Sequence, residues 1–462
     1  MKKVFSSILV VLFFCNIVWA QENQPLKIFG SLSTDQRIIT GKESEWAWNE
    51  NRLSLKLEKK VNRGKLYGEI WVRNFGVPNF TNVEHLYNRG IVDPFDVQVR
   101  EAYLQISDLF IPNLDLKIGR QRIAWGSADQ MNPTDNLNPH DLEDILDFGR
   151  HRGSDAINLT YYIKNDFSIQ AVFIPFFQPA NLPVGVFADA IFPSFELPAD
   201  TNVKINEIRT VIKKPALKFG TNSTVGFKFK AFVKTVDFSL SYVYGYDGLP
   251  FLTKKTVIPI DPIIYPWTWR IDVEAELSYV RQHILGLDFS TNIKGVGVWG
   301  EAALFMLGDD VRDSTIVNSI LPLIPPEVTD SIVLNRKKPF LKFIIGADYH
   351  FGKSSYINVQ YMHGFIHERG AKELSDYLFL RYDFRLLNDR LYLAPISGAV
   401  IISDWKEVKN NYALVYMPQI SYYPIPEVEL SLSYIWLNGK GEGLFSKIQD
   451  YDMFLIKAKF AF

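Results

Sequence analysis

The end of the chain sets the tightest limit on its fold. Asp452 to Phe462 reads D-M-F-L-I-K-A-K-F-A-F, with Phe454, Ile456, Ala458, Phe460 and Phe462 on alternate positions. Leu455, Lys457, Lys459 and Ala461 fall between them. A strand points successive side chains to opposite faces, so one face is apolar with an aromatic end and the other carries two lysines. On a soluble protein such a terminal strand leaves a hydrophobic edge open to pairing with other chains. It is at ease if the apolar face meets lipid, the lysine face meets water inside a barrel, and the first strand pairs with it so that no edge remains.

The segment resembles the C-terminal signal strand of bacterial outer-membrane β-barrels. That resemblance implies that Phe454, Ile456, Ala458, Phe460 and Phe462 are read by the barrel-assembly machinery. The other end agrees. Lys2 and Lys3 precede an apolar run from Val4 to Val18, and Val18-Trp19-Ala20 suits a peptidase, so residues 1–20 read as a secretory signal peptide and 21–462 as one barrel domain. The run is short and broken by Ser6, Ser7 and Asn16, which argues against a membrane anchor. Cys15 is the only cysteine and lies in that leader, so neither disulfides nor cysteine-ligated metals are expected.

Composition narrows the class. Fifty Lys and Arg stand against fifty-one Asp and Glu, which leaves no global field for nucleic acid. Beyond Ala20 no stretch has the eighteen or so continuous apolar residues of a membrane helix. Aromatics make up 14 % of the chain, as suits the interfacial girdles of a transmembrane barrel; a large soluble β-sandwich or propeller is the alternative.

Alternating segments then follow one another. The expected strands are Leu26 to Ser33, Trp48 to Lys59, Lys65 to Phe75, Val97 to Ile106, Leu114 to Trp125 and Asp155 to Ile163. Phe167 to Ile174, Val225 to Val233, Asp237 to Tyr246, His283 to Ser290, Val296 to Phe305 and Phe340 to His350 come next. Ser355 to Phe365, Tyr377 to Phe384, Leu391 to Ile402, Asn411 to Tyr422 and Glu427 to Leu437 precede the terminal one. The fold class is therefore all-β: a transmembrane antiparallel barrel of about eighteen strands, with sixteen as the alternative count. The alternation turns Lys65, Tyr67, Glu69 and Arg73 inward, together with Lys228, Lys230, Asp288, Glu301, Lys342, Asp348, Asn358, Gln360, Lys457 and Lys459. Short turns such as Asn62-Arg63-Gly64 fall on one side and long connections on the other: Gly76 to Asp96, Gly126 to Ser154, Pro175 to Thr224, Asp247 to Tyr279 and Met306 to Pro339. Short periplasmic turns and long extracellular loops are the layout of outer-membrane barrels, and loops of this length can cover or enter a pore.

Leu116 to Leu142 carries Gly119, Arg120, Gln121, Trp125, Gly126, Asn132, Pro133 and Asp135, with a second Asn-Pro at Asn138-Pro139. Here the chain resembles porin-like outer-membrane families with a G-R-Q…W-G…N-P-x-D motif. They include alginate-export-like barrels and barrels associated with RND-type lipid exporters. The two Asn-Pro pairs favour an ordered loop. Arg120, Arg122, Arg150 and Arg152 bracket Asp129, Asp135, Asp141, Glu143, Asp144 and Asp147. Folded inward, the loop would form a pore constriction from Arg120, Arg122, Asp129, Asp135, Arg150 and Arg152 with a transverse field; the alternative is a solvated outer loop whose charges pair among themselves. Strict alternation puts Arg120 and Arg122 on the lipid face, so a bulge near Gly119 or a strand already outside the bilayer is expected.

Ile174 to Asp200 is apolar and proline-rich, which reads as a flap over the pore or as a rim or subunit contact. The histidines, His85, His140, His151, His283, His350, His363 and His367, show no catalytic or metal-ligand spacing. No phosphate or dinucleotide fingerprint is present. The expectation is a non-enzymatic, cofactor-free and metal-free barrel of the bacterial outer membrane that passes small-molecule solutes. Export or uptake of a hydrophobic or polymeric substrate is the alternative, and a structural or adhesin barrel with a plugged lumen the third reading. Expected partners are outer-membrane lipid, with a periplasmic transport partner or a homo-oligomer as further candidates, and no nucleic acid.

Overall fold

The terminal strand finds the partner its pattern demands. In a computed structural model describing residues 25–41, 44–147, 149–164, 166–188, 203–262, 269–308, 312–317, 327–333 and 338–462, it pairs with the first strand from Ser31↔Ala461 to Ile39↔Met453. Gly30 and Phe462 exchange backbone hydrogen bonds at 2.9 and 3.0 Å beyond that ladder. The sheet is thereby closed, and no barrel edge remains. The expected leader lies outside the described residues.

The barrel strands begin with β1 (Lys27–Ile39), β2 (Trp46–Val61), β3 (Gly64–Phe75), β4 (Phe95–Ile106), β5 (Leu114–Gln121) and β6 (Ser154–Lys164). Then come β7 (Phe167–Ile174), β8 (Thr224–Val233), β9 (Val236–Tyr246), β10 (Arg281–Ile293), β11 (Val296–Leu307) and β12 (Phe340–Phe351). Last are β13 (Ser355–His363), β14 (Asp376–Leu386), β15 (Leu391–Ile402), β16 (Tyr412–Tyr416 and Gln419–Tyr422), β17 (Val428–Lys440) and β18 (Met453–Ala461). Each is antiparallel to the next, giving an 18-strand barrel. β16 is interrupted at Met417-Pro418, because proline has no N–H for the ladder. β1 runs on to Ile39, past the expected Ser33, whereas β5 stops at Gln121 instead of Trp125 and β13 at His363 instead of Phe365.

The faces are those of a membrane barrel. Leu285 and Leu287, Leu430 and Leu432, and Phe454, Ile456 and Phe460 are exposed along the outside. Their inward neighbours Asp288, Glu301, Asn358 and Gln360 are buried. An apolar band outside and polar groups inside suit hydrocarbon around a hydrated lumen. No described helix is long and apolar enough to cross a membrane.

A second sheet was not anticipated. Val203–Lys213, Phe251–Pro262, Trp269–Ser278, Arg312–Val317 and Glu327–Val333 form a five-stranded mixed sheet on the side of the long connections. Phe251–Pro262 and Trp269–Ser278 extend the β9–β10 hairpin, and Val203–Lys213 joins it in parallel. From sequence these segments fall within the expected long connections Pro175 to Thr224, Asp247 to Tyr279 and Met306 to Pro339. Yet Ile271, Val273, Ala275 and Leu277 are all buried, with Asp272, Glu274 and Glu276 between them, so strand alternation was there to be seen.

Candidate functional site: the loop inside the lumen

Residues 122–153, between β5 and β6, do not stay outside. Their charged side chains meet inward-facing groups of the barrel wall, and the entry is set by the G-R-Q segment. Gly119 has φ +116°, and a Cβ there would lie 2.5 Å from the Ala102 carbonyl. The Gln121 side chain is fully buried, donating to the Ala156 carbonyl at 3.0 Å and accepting from Asn158 at 3.2 Å.

Here the expectation for the two arginines divides. The β4–β5 ladder runs without a break to Ala102↔Arg120, so no bulge turns Arg120 inward. It stays on the outer face with Ile118, opposite Asp155 at 3.9 Å, and is not part of a constriction. Arg122 faces inward because the ladder has ended. Its backbone N–H donates to Glu101 at 2.8 Å, and its guanidinium donates to Asp135 at 3.0 Å and to Asn138 at 3.2 Å.

A seam of charge then ties the loop to one side of the barrel. Arg37 on β1 binds Asp144 through both Nη atoms, at 2.7 and 2.5 Å. Arg73 on β3 binds Glu143 at 2.8 and 3.1 Å. Arg100 on β4 donates to Asp141 at 2.8 Å and to the His151 carbonyl at 2.6 Å. From the loop itself, Arg150 lies 3.1 Å from Asp141 and 3.2 Å from Glu143. A bulge sets Arg100: Glu69 pairs with Glu101 and Ile70 with Val99, leaving Arg100 as the extra residue. Trp48, Phe75 and Trp71 lie under the guanidinium groups of Arg37, Arg73 and Arg100 at 4.7, 4.5 and 4.1 Å. Arg37 and Arg73 are 1 % exposed, and each also has a carboxylate on the barrel wall, Asp35 for Arg37 and Asp96 for Arg73, at 2.8 Å each.

The opposite wall holds the other end. Glu301 on β11, half the circumference from β2, accepts from the backbone N–H groups of Ser127 and Ala128. It also accepts from Asn132 at 2.7 Å and from the Thr134 hydroxyl at 2.8 Å. Gly126 makes this approach feasible: at φ +103°, any Cβ would run into the Glu301 carboxylate. Asn138 closes the base, accepting from the Ile123 N–H at 2.6 Å and donating to Gln121 O and Ser154 Oγ at 3.0 Å each. The loop thus crosses the lumen between two walls.

Burial and charge compete at the seam. Burial raises the Asp144 carboxyl, but the Arg37 guanidinium outweighs it and holds the group at about 2. Burial likewise raises Asp141, and Arg150 with Arg100 bring it below the ordinary carboxylate range. Burial lowers both His140 and His151, whose rings lie 4.4 Å apart, so they are neutral at pH 7.

Apolar side chains complete the contact. Met131 and Ile145 of the loop join Phe187, Phe365 and Phe445 from other long connections against Ile344, Met362, Ile435 and Met453 of the wall. Ile123, Trp125 and Leu137 pack on the other side against Ile284, Phe305 and Phe340. Part of the apolar stretch 174–200 takes part. Asn181 accepts from the Leu142 N–H at 3.1 Å and donates to the His140 carbonyl at 3.0 Å, and Phe187 is wholly buried. Residues 189–200 of that stretch lie outside the described residues.

The remaining expected site residues are scattered. Asp129 is exposed at the bend of the loop, and Arg152 donates to the Pro179 carbonyl. Lys228 lies 3.7 Å from Asp288, Lys230 2.8 Å from Asp237, and Lys457 2.9 Å from Asp35. Asp348 accepts from the Tyr356 hydroxyl at 3.0 Å, and Lys459 pairs in register with Ser33 and Glu429. Lys342 donates to the Phe365 carbonyl at 2.6 Å. Arg37 and Arg100 were not singled out from sequence. Arg37 lies beyond the expected end of β1, and Arg100 takes its inward direction from a bulge that alternation does not reveal.

A family model described as a protein of unknown function (DUF1302) matches residues 92–306, a little under half of the chain. No curated protein matches the sequence. Among solved structures the barrel is similar to OccAB1 of Acinetobacter baumannii, with a TM-score of 0.52 and 8 % identity over 95 % of this chain and 96 % of that one. It is also similar to OccK11 of Pseudomonas aeruginosa, at 0.48 and 9 % over 94 % and 95 %. Likeness at such identity concerns the fold, a porin-type barrel of the bacterial outer membrane.

Proposed function

We propose that this barrel is an outer-membrane channel for small solutes, with the loop 122–153 as its constriction. The observation that carries the reading is the two-walled anchorage, with Arg37, Arg73 and Arg100 on one side and Glu301 on the other. A loop fixed at both ends sets a cross-section, whereas a free outer loop could not. Of the residues expected at the constriction, Arg122, Asp135 and Arg150 belong to this structure as pairing groups. The transverse field is short-ranged, because its opposite charges are in direct contact.

The apolar packing of the loop favours one refinement: the channel is narrow at rest and admits solutes through gaps beside the loop. The same packing suits the second reading, a hydrophobic cargo handed on by a periplasmic partner. Planar-bilayer recording separates the two. The channel reading expects small, steady single-channel currents from the purified full chain, and larger currents from Arg37→Gln. Silence from both proteins would reject it.

A further inference from the structure

The outer wall of the barrel is not even. Across β7 to β12 lies an almost wholly apolar recess of about 650 Å³, lined by Phe227, Leu240, Leu285, Leu287 and Leu341 around the short side chain of Ala302. The five larger residues are exposed on the outward face, and the volume is that of a ligand site. Strands about 4.8 Å apart make the sector roughly 24 Å wide.

Towards the long connections the recess meets an aromatic and basic rim. Tyr242 lines the recess, and its hydroxyl hydrogen-bonds His283 Nδ1 at 2.7 Å. His283 stacks on Tyr244 at 4.5 Å, and the Arg281 guanidinium lies over Tyr244 and Tyr246 at 4.6 and 4.7 Å. Tyrosines of this kind mark the level of the membrane interface. The connection before β8 is fastened to the rim. Arg281 donates to the Ser223 carbonyl at 3.0 Å, the Tyr246 hydroxyl donates to Asn222 at 2.9 Å, and Phe219 meets Phe173 edge-on at 5.8 Å. Leu217 and Phe219 are 81 % and 84 % exposed there, beside a wall that faces lipid. Lys213 pairs with Glu276 at 2.7 Å, whereas the exposed Lys214 and Lys218 have no ion-pair partner among the described residues.

We infer that this sector is a binding site for one phosphorylated glycolipid with several acyl chains, drawn from the outer leaflet. The inference goes beyond the channel reading and does not depend on it. The long connections are extracellular, so the rim stands at the level of that leaflet's head groups. The recess takes the chains, and its width suits more of them than a phospholipid carries. Lys214, Lys218 and Arg281 supply the cations that phosphate needs, with the lysine stems lying along apolar surface. A second copy of the chain seated here about a two-fold axis would bring the same cations face to face.

The test is native mass spectrometry of the full chain, stripped of lipid in detergent and titrated with diphosphorylated lipid A, its dephosphorylated form and phosphatidylglycerol. One lipid A should bind per barrel, with the other two lipids at least about tenfold weaker. Lys214→Gln with Lys218→Gln should weaken lipid A roughly twentyfold, about fivefold for each surface cation. Ala302→Trp fills the recess from the lipid side and should weaken it about tenfold, with the heat-modifiable gel shift of the folded barrel retained. If that variant does not fold, the exposed lysine pair decides alone. Equal binding of phosphatidylglycerol or of the dephosphorylated lipid, or lipid A binding that the variants leave unmoved, overturns the inference. A dimer that binds no lipid also overturns it and gives the recess to a second copy.

Discussion

Two long connections of this barrel have opposite fates. Residues 122–153 turn into the lumen, whereas Phe251–Pro262 and Trp269–Ser278 pair with each other beyond β9 and β10 and collect three more strands into a sheet. Length does not separate them. The inner connection has two Asn-Pro pairs that break any strand, and its carboxylates meet a row of inward guanidinium groups. The outer one alternates apolar and charged residues without such breaks, from Arg270 to Leu277, and simply continues the ladder below it. Complementary charge on the wall draws a loop inward; period-two patterning carries it outward.

Breaking the inner arrangement should have the largest effect. Arg37→Gln leaves Asp144 a buried carboxylate with no guanidinium and only the Leu146 N–H as donor, which costs about 3–5 kcal/mol and should free the loop and raise single-channel conductance. Glu301→Gln acts at the opposite wall and removes a charged acceptor of several hydrogen bonds. It should cost about 1.5–3 kcal/mol, read as easier urea unfolding with a smaller rise in conductance. Gly126→Ala forces a side chain into positive φ and towards the same carboxylate, at about 1–3 kcal/mol, with the loop displaced from β11.

Acid offers a gentler probe of the seam. Asp144 has its folded value depressed to about 2, so its contribution is fully present above the ordinary carboxylate value and is lost as the pH falls towards 2. Conductance should therefore be level from pH 7 to about 5 and change only below about pH 4. The smallest effect should come from the outer sheet. Val273→Ala removes buried methyl groups there and should loosen that sheet locally, leaving conductance unchanged; an altered conductance would tie the outer sheet to the pore.

Much of this barrel is written in its alternation. The terminal strand, the inward Arg73, Glu301 and Lys342, and the side on which the long connections fall all follow from a period of two and the need to satisfy every backbone group in lipid. The inward course of residues 122–153 could be suspected from prolines and charges. Its fastenings could not. Arg37 depends on how far β1 extends, Arg100 on a one-residue bulge, and Arg120 on a strand that keeps its phase through a glycine at positive φ. Each of these is fixed by neighbours distant in sequence. The outer sheet escapes the sequence for another reason: the alternation of Arg270 to Leu277 is plain, but its parallel partner at 203–213, like the strand 312–317 that joins Phe251–Pro262, lies across another connection.

Thiol accessibility tests the inward fold most directly. Cys15 is the only native cysteine and falls in the expected leader, so a single introduced thiol can be read without interference. Ile145→Cys is placed where the loop is 2 % exposed, and Val83→Cys where another connection is 62 % exposed. In intact outer membranes a bulky maleimide should label Val83→Cys quickly and leave Ile145→Cys untouched until Arg37→Gln is added. Equal labelling of both positions in the otherwise native protein would mean that the loop does not lie in the lumen.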